Sequence, residues 1–202
     1  MDELVSVFIF LFAVIDPIGT VPVFLAVTNG FDEKQKRIIA IRAVLTSAAV
    51  LLFFVMVGEI ILDAINVPLS AFEIAGGIVL FLFAMTMIFG ESKPDEEIKM
   101  IKSEKETAIF PLAIPSIASP GAMLAVVLLT KNEEHTLLEQ AETSLVLLLV
   151  LGIVLLLLLL SKYVHRVIGD GGSSIISRVM GMILAAVAIN NILDGVKQFY
   201  EL

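Results

Sequence analysis

Two short motifs that break helices carry the residues best suited to chemistry. Residues 16–22 read Asp-Pro-Ile-Gly-Thr-Val-Pro, and residues 115–121 read Pro-Ser-Ile-Ala-Ser-Pro-Gly. Asp and Ser are preferred helix N-caps, and proline is favoured at the first helical position. The Asp-Pro step at Asp16 and the Ser-Pro step at Ser119 therefore each predict the end of one helix and the start of another. The free N–H groups of such a start favour anions, including carboxylates.

Asp16 is the one carboxylate that the pattern places deep in an apolar segment. An ionisable side chain at that depth is costly and is by default a functional hypothesis. Three roles are open for it: partner of a ligand ammonium group, carrier of a proton, or only a cap of the following half-helix. The pattern places no Lys or Arg at the same depth, so a bound carboxylate would depend on the helix N–H groups.

Small and polar residues around the two breaks complete the candidate site. Ser116 and Ser119 are candidates to donate to a ligand oxygen; the alternative is bonding to a backbone carbonyl. Gly19 and Gly121 allow close backbone approach, which favours a small solute. Asn190 has two alternative roles: it lines the solute path, or it forms a hydrogen bond to another helix. The predicted binding residues are Asp16, Pro17, Ile18, Gly19, Thr20, Ser116, Ser119, Pro120, Gly121 and Asn190.

The elements that must position these residues are membrane spans. Of the 202 residues, 58% are hydrophobic and 17% are charged, and the mean hydropathy is +1.01. Soluble domains carry about a quarter charged residues. The predicted fold is an all-α, polytopic membrane protein. Its six spans are 4–28, 38–62, 69–89, 108–130, 143–164 and 175–196, called spans one to six below.

Basic residues predict the orientation of the spans. The first, third and fifth connections, with their flanks, hold four, four and three of the 13 Lys and Arg residues. Because basic residues stay cytoplasmic, both termini are expected outside the cell membrane. No Lys or Arg precedes the first apolar run and no cleavage site follows it. A cleaved signal is therefore not expected.

The two breaks suggest a duplicated unit. Aligning Pro17 with Pro120 gives an offset of 103, and aligning Gly76 with Gly181 gives 105. We predict a first three-helix repeat at 1–90, a cytoplasmic linker at 91–107 and a second repeat at 108–202. Three is odd, so the second copy must be inverted, with spans one and four discontinuous. Many secondary transporters have this 3+3 design, with the solute site between the broken helices.

Several classes of function are disfavoured by what the chain lacks. It has no cysteine and no H-E-x-x-H or P-loop motif, and its histidines, His135 and His165, lie in polar connections. We therefore expect no enzyme activity, no metal, no cofactor and no direct use of ATP. A channel or an exporter for another small solute is the nearest alternative. A structural or accessory subunit is a third one.

The chain resembles the MarC family of integral membrane proteins, which includes small neutral amino acid transporters of the SnatA type. The resemblance rests on residues 16–24 (Asp-Pro-Ile-Gly-Thr-Val-Pro-Val-Phe), residues 111–115 and 119–122, and the glycine-containing spans three and six. Ser119 stands where the family pattern is expected to have glycine. The resemblance implies six helices and transport of glycine or alanine, with protons as a candidate coupling ion. The implied partners are the small zwitterionic solute, glycine or alanine, and membrane lipid. Nucleic acid is not an implied partner. The oligomeric state stays open.

Overall fold

The computed structural model describes residues 2–64, 67–89, 107–131 and 136–200. These residues form helices and no strand, so the predicted all-α class is confirmed. The predicted linker at 91–107, except for Thr107, lies outside the described residues, as does His135. The elements in chain order are α1 Asp2–Ile15, α2 Thr20–Val27, α3 Glu33–Ala64, α4 Leu69–Phe89, α5 Ala108–Ile117, α6 Pro120–Leu128, α7 Leu137–Leu159 and α8 Ser161–Phe199.

Within the described residues, five helical stretches are long and apolar enough to cross a membrane. They are Glu3–Val27, Glu33–Ile61, Ser70–Phe89, Leu137–Leu159 and Gly171–Phe199. The bent pair α5 and α6 makes a sixth if it is counted as one span. Five to six candidate spans therefore agree with the predicted number.

The boundary between the last two spans differs from the prediction. The fifth span was expected at 143–164, but α7 begins at Leu137 and ends at Leu159. It starts earlier because Thr136 and Glu139 form a capping box. It ends earlier because the chain turns at Leu160, where the sequence has no Gly or Pro to indicate a helix end. The first turns of α8 lead to a bend at Gly169, whose φ of 65° suits glycine.

The short helices lie at the centre of the bundle. In α2, five of eight residues are buried, and in α6 six of nine are buried. The long helices instead show large apolar side chains on the outside, among them Leu45, Met56, Leu82, Leu145 and Leu156. An apolar exterior of this extent matches lipid rather than water as the surrounding solvent.

Helices α4 and α8 pack against each other through glycines. A Cβ atom on Gly77 would lie 2.7 Å from the backbone oxygen of Ala188, and one on Gly181 would lie 3.1 Å from that of Ala84. Backbones this close leave no room for a side chain at either glycine. Small residues allow such contact in membrane helices, where van der Waals packing drives association.

Two ion pairs join early and late parts of the chain at opposite ends of the bundle. At the start of α3, Glu33 pairs with Lys162 over 2.6 Å, and both side chains are exposed. In α4, Glu73 pairs with Lys131, and both residues are buried. Lys131 follows α6 and supplies the opposite charge that burial of Glu73 requires.

Candidate functional site

The first break lies between α1 and α2. Helix α1 ends at Ile15, and Asp16 adopts a left-handed backbone conformation with φ of 49°. The Oδ1 atom of Asp16 accepts a hydrogen bond from the Gly19 N–H at 3.0 Å. The carbonyl of Asp16 accepts two more from Thr20, from the N–H at 3.1 Å and from Oγ1 at 3.0 Å. Asp16 therefore holds the turn that leads into α2.

This turn corrects the predicted helix start. Pro17 was expected to be the first residue of the second half-helix, but α2 begins at Thr20, and Gly19 is the N-cap without a side-chain bond. The difference follows from the backbone of Asp16, because Asp is among the few residues that adopt the left-handed region readily. One residue in this conformation ends α1 and inserts a turn before α2.

The second break follows the pattern that the sequence predicts. Ser119 is the N-cap of α6, its backbone is extended, and its Oγ atom accepts a hydrogen bond from the Ala122 N–H at 3.1 Å. Pro120 is the first residue of the helix. Helices α5 and α6 meet at a bend of 53°.

The segment before this bend is irregular for a local reason. Phe110 and Ile114 have extended backbone angles inside α5, and each precedes a proline. Proline disfavours the helical conformation in the residue before it. The carbonyl of Ala113 accepts a hydrogen bond from the Ala118 N–H at 2.8 Å and another from Ser47 Oγ at 3.3 Å. A side chain of α3 thus satisfies part of the backbone that the breaks free.

Asp16 is connected to the far end of the chain. Its side chain is buried, with 1% of the residue exposed. Its Oδ2 atom accepts a hydrogen bond from the Ser177 hydroxyl at 2.8 Å, across 161 positions of sequence. Among the described residues, no Lys, Arg or His forms an ion pair with Asp16. The site is a buried carboxylate with two neutral donors and no positive partner in that part of the chain.

Ser177 is the residue that the sequence did not reveal. It lies in α8 beside Arg178, and nothing local relates it to the break at Asp16. Ser177 is one of several polar residues in this part of α8, with Ser173 and Ser174 close by, and nothing in the sequence distinguishes it from them.

Ser116 has an unusual environment. It is buried, with 2% of the residue exposed, and its hydroxyl has no hydrogen-bond partner among the described residues. The alternative considered for Ser116, bonding to a backbone carbonyl, is therefore not seen there. A buried hydroxyl normally finds a partner. An oxygen-bearing ligand would supply one.

The other predicted site residues divide into those near a break and one that is distant. Asn190 is exposed and donates to Asp194 Oδ2 at 2.7 Å on its own helix. It lies 13 positions after Ser177, about 20 Å along the helix axis, and so is not brought together with Asp16. At the breaks, Pro17, Thr20 and Gly121 are buried, Ile18 and Gly19 are half-buried, and Pro120 is exposed.

Metal binding has no support in the geometry. Within residues 2–64, 67–89, 107–131 and 136–200, no group of three or more His, Cys, Asp or Glu side chains could hold an ion. The chemistry offered by the described site is that of a carboxylate, hydroxyls and backbone N–H groups.

An apolar exterior, several long helices and a polar centre define a multi-pass integral membrane protein. The sequence model of the MarC family, described as MarC family integral membrane protein, matches residues 1–200. The chain therefore belongs to the MarC family, as the resemblance of its motifs indicated.

Similar proteins occur in bacteria and archaea. A UPF0056 membrane protein of Buchnera aphidicola (subsp. Schizaphis graminum) is 34% identical over 201 residues, covering 100% of both chains. A UPF0056 membrane protein of Methanocaldococcus jannaschii is 35% identical over 190 residues, covering 93% of this chain and 92% of its own. The UPF0056 inner membrane protein YhgN of Escherichia coli (strain K12) is 32% identical over 201 residues, covering 100% of both. No solved structure matches the chain.

Proposed function

We propose that this protein is a secondary transporter of small neutral amino acids, glycine and alanine, in the cell membrane. The solute binds near the midplane, between the breaks at Asp16 and Ser119. The observation that carries the proposal is the buried carboxylate of Asp16, which has no basic partner in the described part of the chain. The name of the Escherichia coli relative, an inner membrane protein, supports this location.

The carboxylate of Asp16 is suited to receive an ammonium group. Its two oxygens offer about four acceptor positions, and the Gly19 N–H and the Ser177 hydroxyl occupy one on each oxygen. Burying a charge without an opposite charge is costly. The ammonium group of an amino acid removes that cost when it binds. Protons are the candidate coupling ion in this proposal.

The second break is suited to receive the carboxylate group of the same ligand. The Ser119 side chain uses the Ala122 N–H, but the N–H of Gly121, at the second helical position, has no partner within its own helix. The buried Ser116 hydroxyl is also a donor without a partner among the described residues. The positive end of the α6 dipole adds to the attraction of these two donors for a carboxylate group. A zwitterion thus matches the two breaks without any Lys or Arg.

The helix contacts support the inverted repeat on which this design depends. In a repeat, α1, α2, α3 and α4 would correspond to α5, α6, α7 and α8 in that order. Under this correspondence, most of the helix–helix contacts of the structure have an equivalent contact. Helix α3 contacts α5 and α6, and α7 contacts α1 and α2. The contact of α2 with α8 corresponds to that of α6 with α4. The contact of α1 with α6 corresponds to that of α5 with α2. In the proposed mechanism the two halves rock about the ligand and open to each side in turn.

The test is uptake of labelled glycine and alanine into vesicles that contain the purified protein, with and without a pH gradient. We expect saturable uptake that is driven by the gradient and suppressed by competing small neutral amino acids. Conductance that does not saturate with either solute would show a channel instead. Vesicles that take up neither solute above a protein-free control would reject the proposed substrates.

A further inference from the structure

The hydroxyl of Ser177 forms a different kind of hydrogen bond from other hydroxyls in the helices of this chain. The hydroxyls of Thr28, Thr130 and Ser144 each donate to the carbonyl four residues earlier. That local bond is the usual solution for Ser and Thr in a membrane helix. Ser177 instead donates to Asp16 Oδ2 at 2.8 Å. Its proton is directed across the helix interface to the carboxylate.

The space around this hydrogen bond is filled. A Cβ atom built on Gly19 would lie 2.0 Å from Asp16 Oδ2 and 2.5 Å from Ser177 Oγ. The backbone of Gly19 is in the ordinary right-handed helical region, with φ of −67°. Any residue can adopt that conformation, so space, and not backbone strain, requires glycine here. Gly19 and Ser177 together fix where the Asp16 carboxylate stands.

We infer that Ser177 is a positioning residue for substrate binding: it holds the Asp16 carboxylate in the orientation that receives the ligand's ammonium group. This inference rests on the proposed function. Hydrogen bonds to an ionised acceptor are stronger than neutral ones, and they fix geometry. Without Ser177, the Gly19 N–H is the one remaining donor to the carboxylate among the described residues, at Oδ1. The ammonium site is therefore built by both halves of the chain, with Asp16 in the first and Ser177 in the second.

The test compares uptake kinetics of matched variants in vesicles. In Ser177→Ala we expect the KM for alanine to rise about tenfold, the order of one hydrogen bond to a charged group, while the maximal rate stays within about twofold of wild type. Ser177→Thr keeps the hydroxyl and should keep KM near the wild-type value. Gly19→Ala displaces the carboxylate without removing the hydroxyl, and should raise KM as Ser177→Ala does.

Two controls separate positioning from a general effect on the helix. Ser174→Ala removes a half-buried hydroxyl three residues earlier in α8. Gly152→Ala adds a methyl group where nothing lies within 4 Å. Both should leave KM unchanged. An unchanged KM in Ser177→Ala, an equal rise in Ser174→Ala, or a Thr variant as poor as the Ala variant would overturn the role of Ser177.

A double-mutant cycle makes the outcome independent of the substrate. The midpoint of thermal unfolding is measured for Ser177→Ala, Asp16→Asn and the double variant in detergent. Residues in direct contact give non-additive shifts, so the double variant should lose less than the sum of the single losses. Additive shifts would overturn the inference even where uptake is active. If wild-type vesicles take up no amino acid, the proposed function fails, and the cycle still decides whether Ser177 acts on Asp16.

Discussion

Lys131 and Glu73 form an ion pair between residues 58 positions apart, and 4% and 5% of their respective surfaces are exposed. Glu73 lies in α4, whereas Lys131 follows α6, so the pair ties the two halves of the chain together at one end of the bundle. The pair at the other end, between Glu33 and Lys162, is exposed to solvent. The two pairs therefore differ greatly in their exposure to solvent.

Removing one member of the buried pair should destabilise the protein strongly. Glu73→Gln removes the charge that Glu73 contributes to this buried pair, and breaking a buried pair by removing one partner costs about 3–5 kcal/mol in proteins. Replacing both residues, as Glu73→Leu with Lys131→Met, should restore most of the loss because both buried charges are then replaced by apolar side chains. The free energy of unfolding in detergent, from denaturant titration, measures both effects.

The exposed pair provides the matched comparison. Exposed ion pairs contribute little because water and salt screen them. Glu33→Gln should therefore leave the unfolding midpoint where it is in the wild type. A loss in Glu33→Gln as large as that in Glu73→Gln would contradict the expectation that breaking the buried pair costs more than breaking the exposed one.

Ser119 should tolerate glycine but not a large apolar side chain. Its hydroxyl caps α6 through the Ala122 N–H, and replacing an N-cap serine by glycine costs only a few tenths of a kcal/mol. Ser119→Gly should therefore keep both folding and uptake. Ser119→Leu removes the cap and fills the space beside the break, so uptake should fall severely. Equal uptake in these two variants would show that the space at Ser119 is not part of the site.

The orientation of the chain is open to direct labelling because the sequence contains no cysteine. Gly30 and Leu137 are exposed residues of the first and fourth connections and their flanks, and nothing lies within 4 Å of a Cβ atom on Gly30. Basic residues predict that Leu137→Cys reacts with a membrane-impermeant maleimide in intact cells. Gly30→Cys should react only after the cells are opened. The reverse pattern would place both termini in the cytoplasm.

Local features were predictable from the sequence, and contacts between distant residues were not. The cap at Ser119 follows from Ser before Pro. The turn after Asp16 was missed because Asp-Pro fits an ordinary helix start equally well. The partners of Asp16 and Glu73 come from segments 161 and 58 positions away, and no spacing rule reaches that far. Only the fold brings them together.

The proposed function depends most on Asp16, and equilibrium binding of labelled alanine to the purified protein tests it most directly. The wild type should bind alanine saturably, and Asp16→Asn should lose binding by a factor of ten or more, as expected for a lost charge partner in a buried site. Asp194→Asn, which neutralises an exposed carboxylate, is the control and should bind like the wild type. Saturable binding of equal affinity in the wild type and Asp16→Asn would contradict the account.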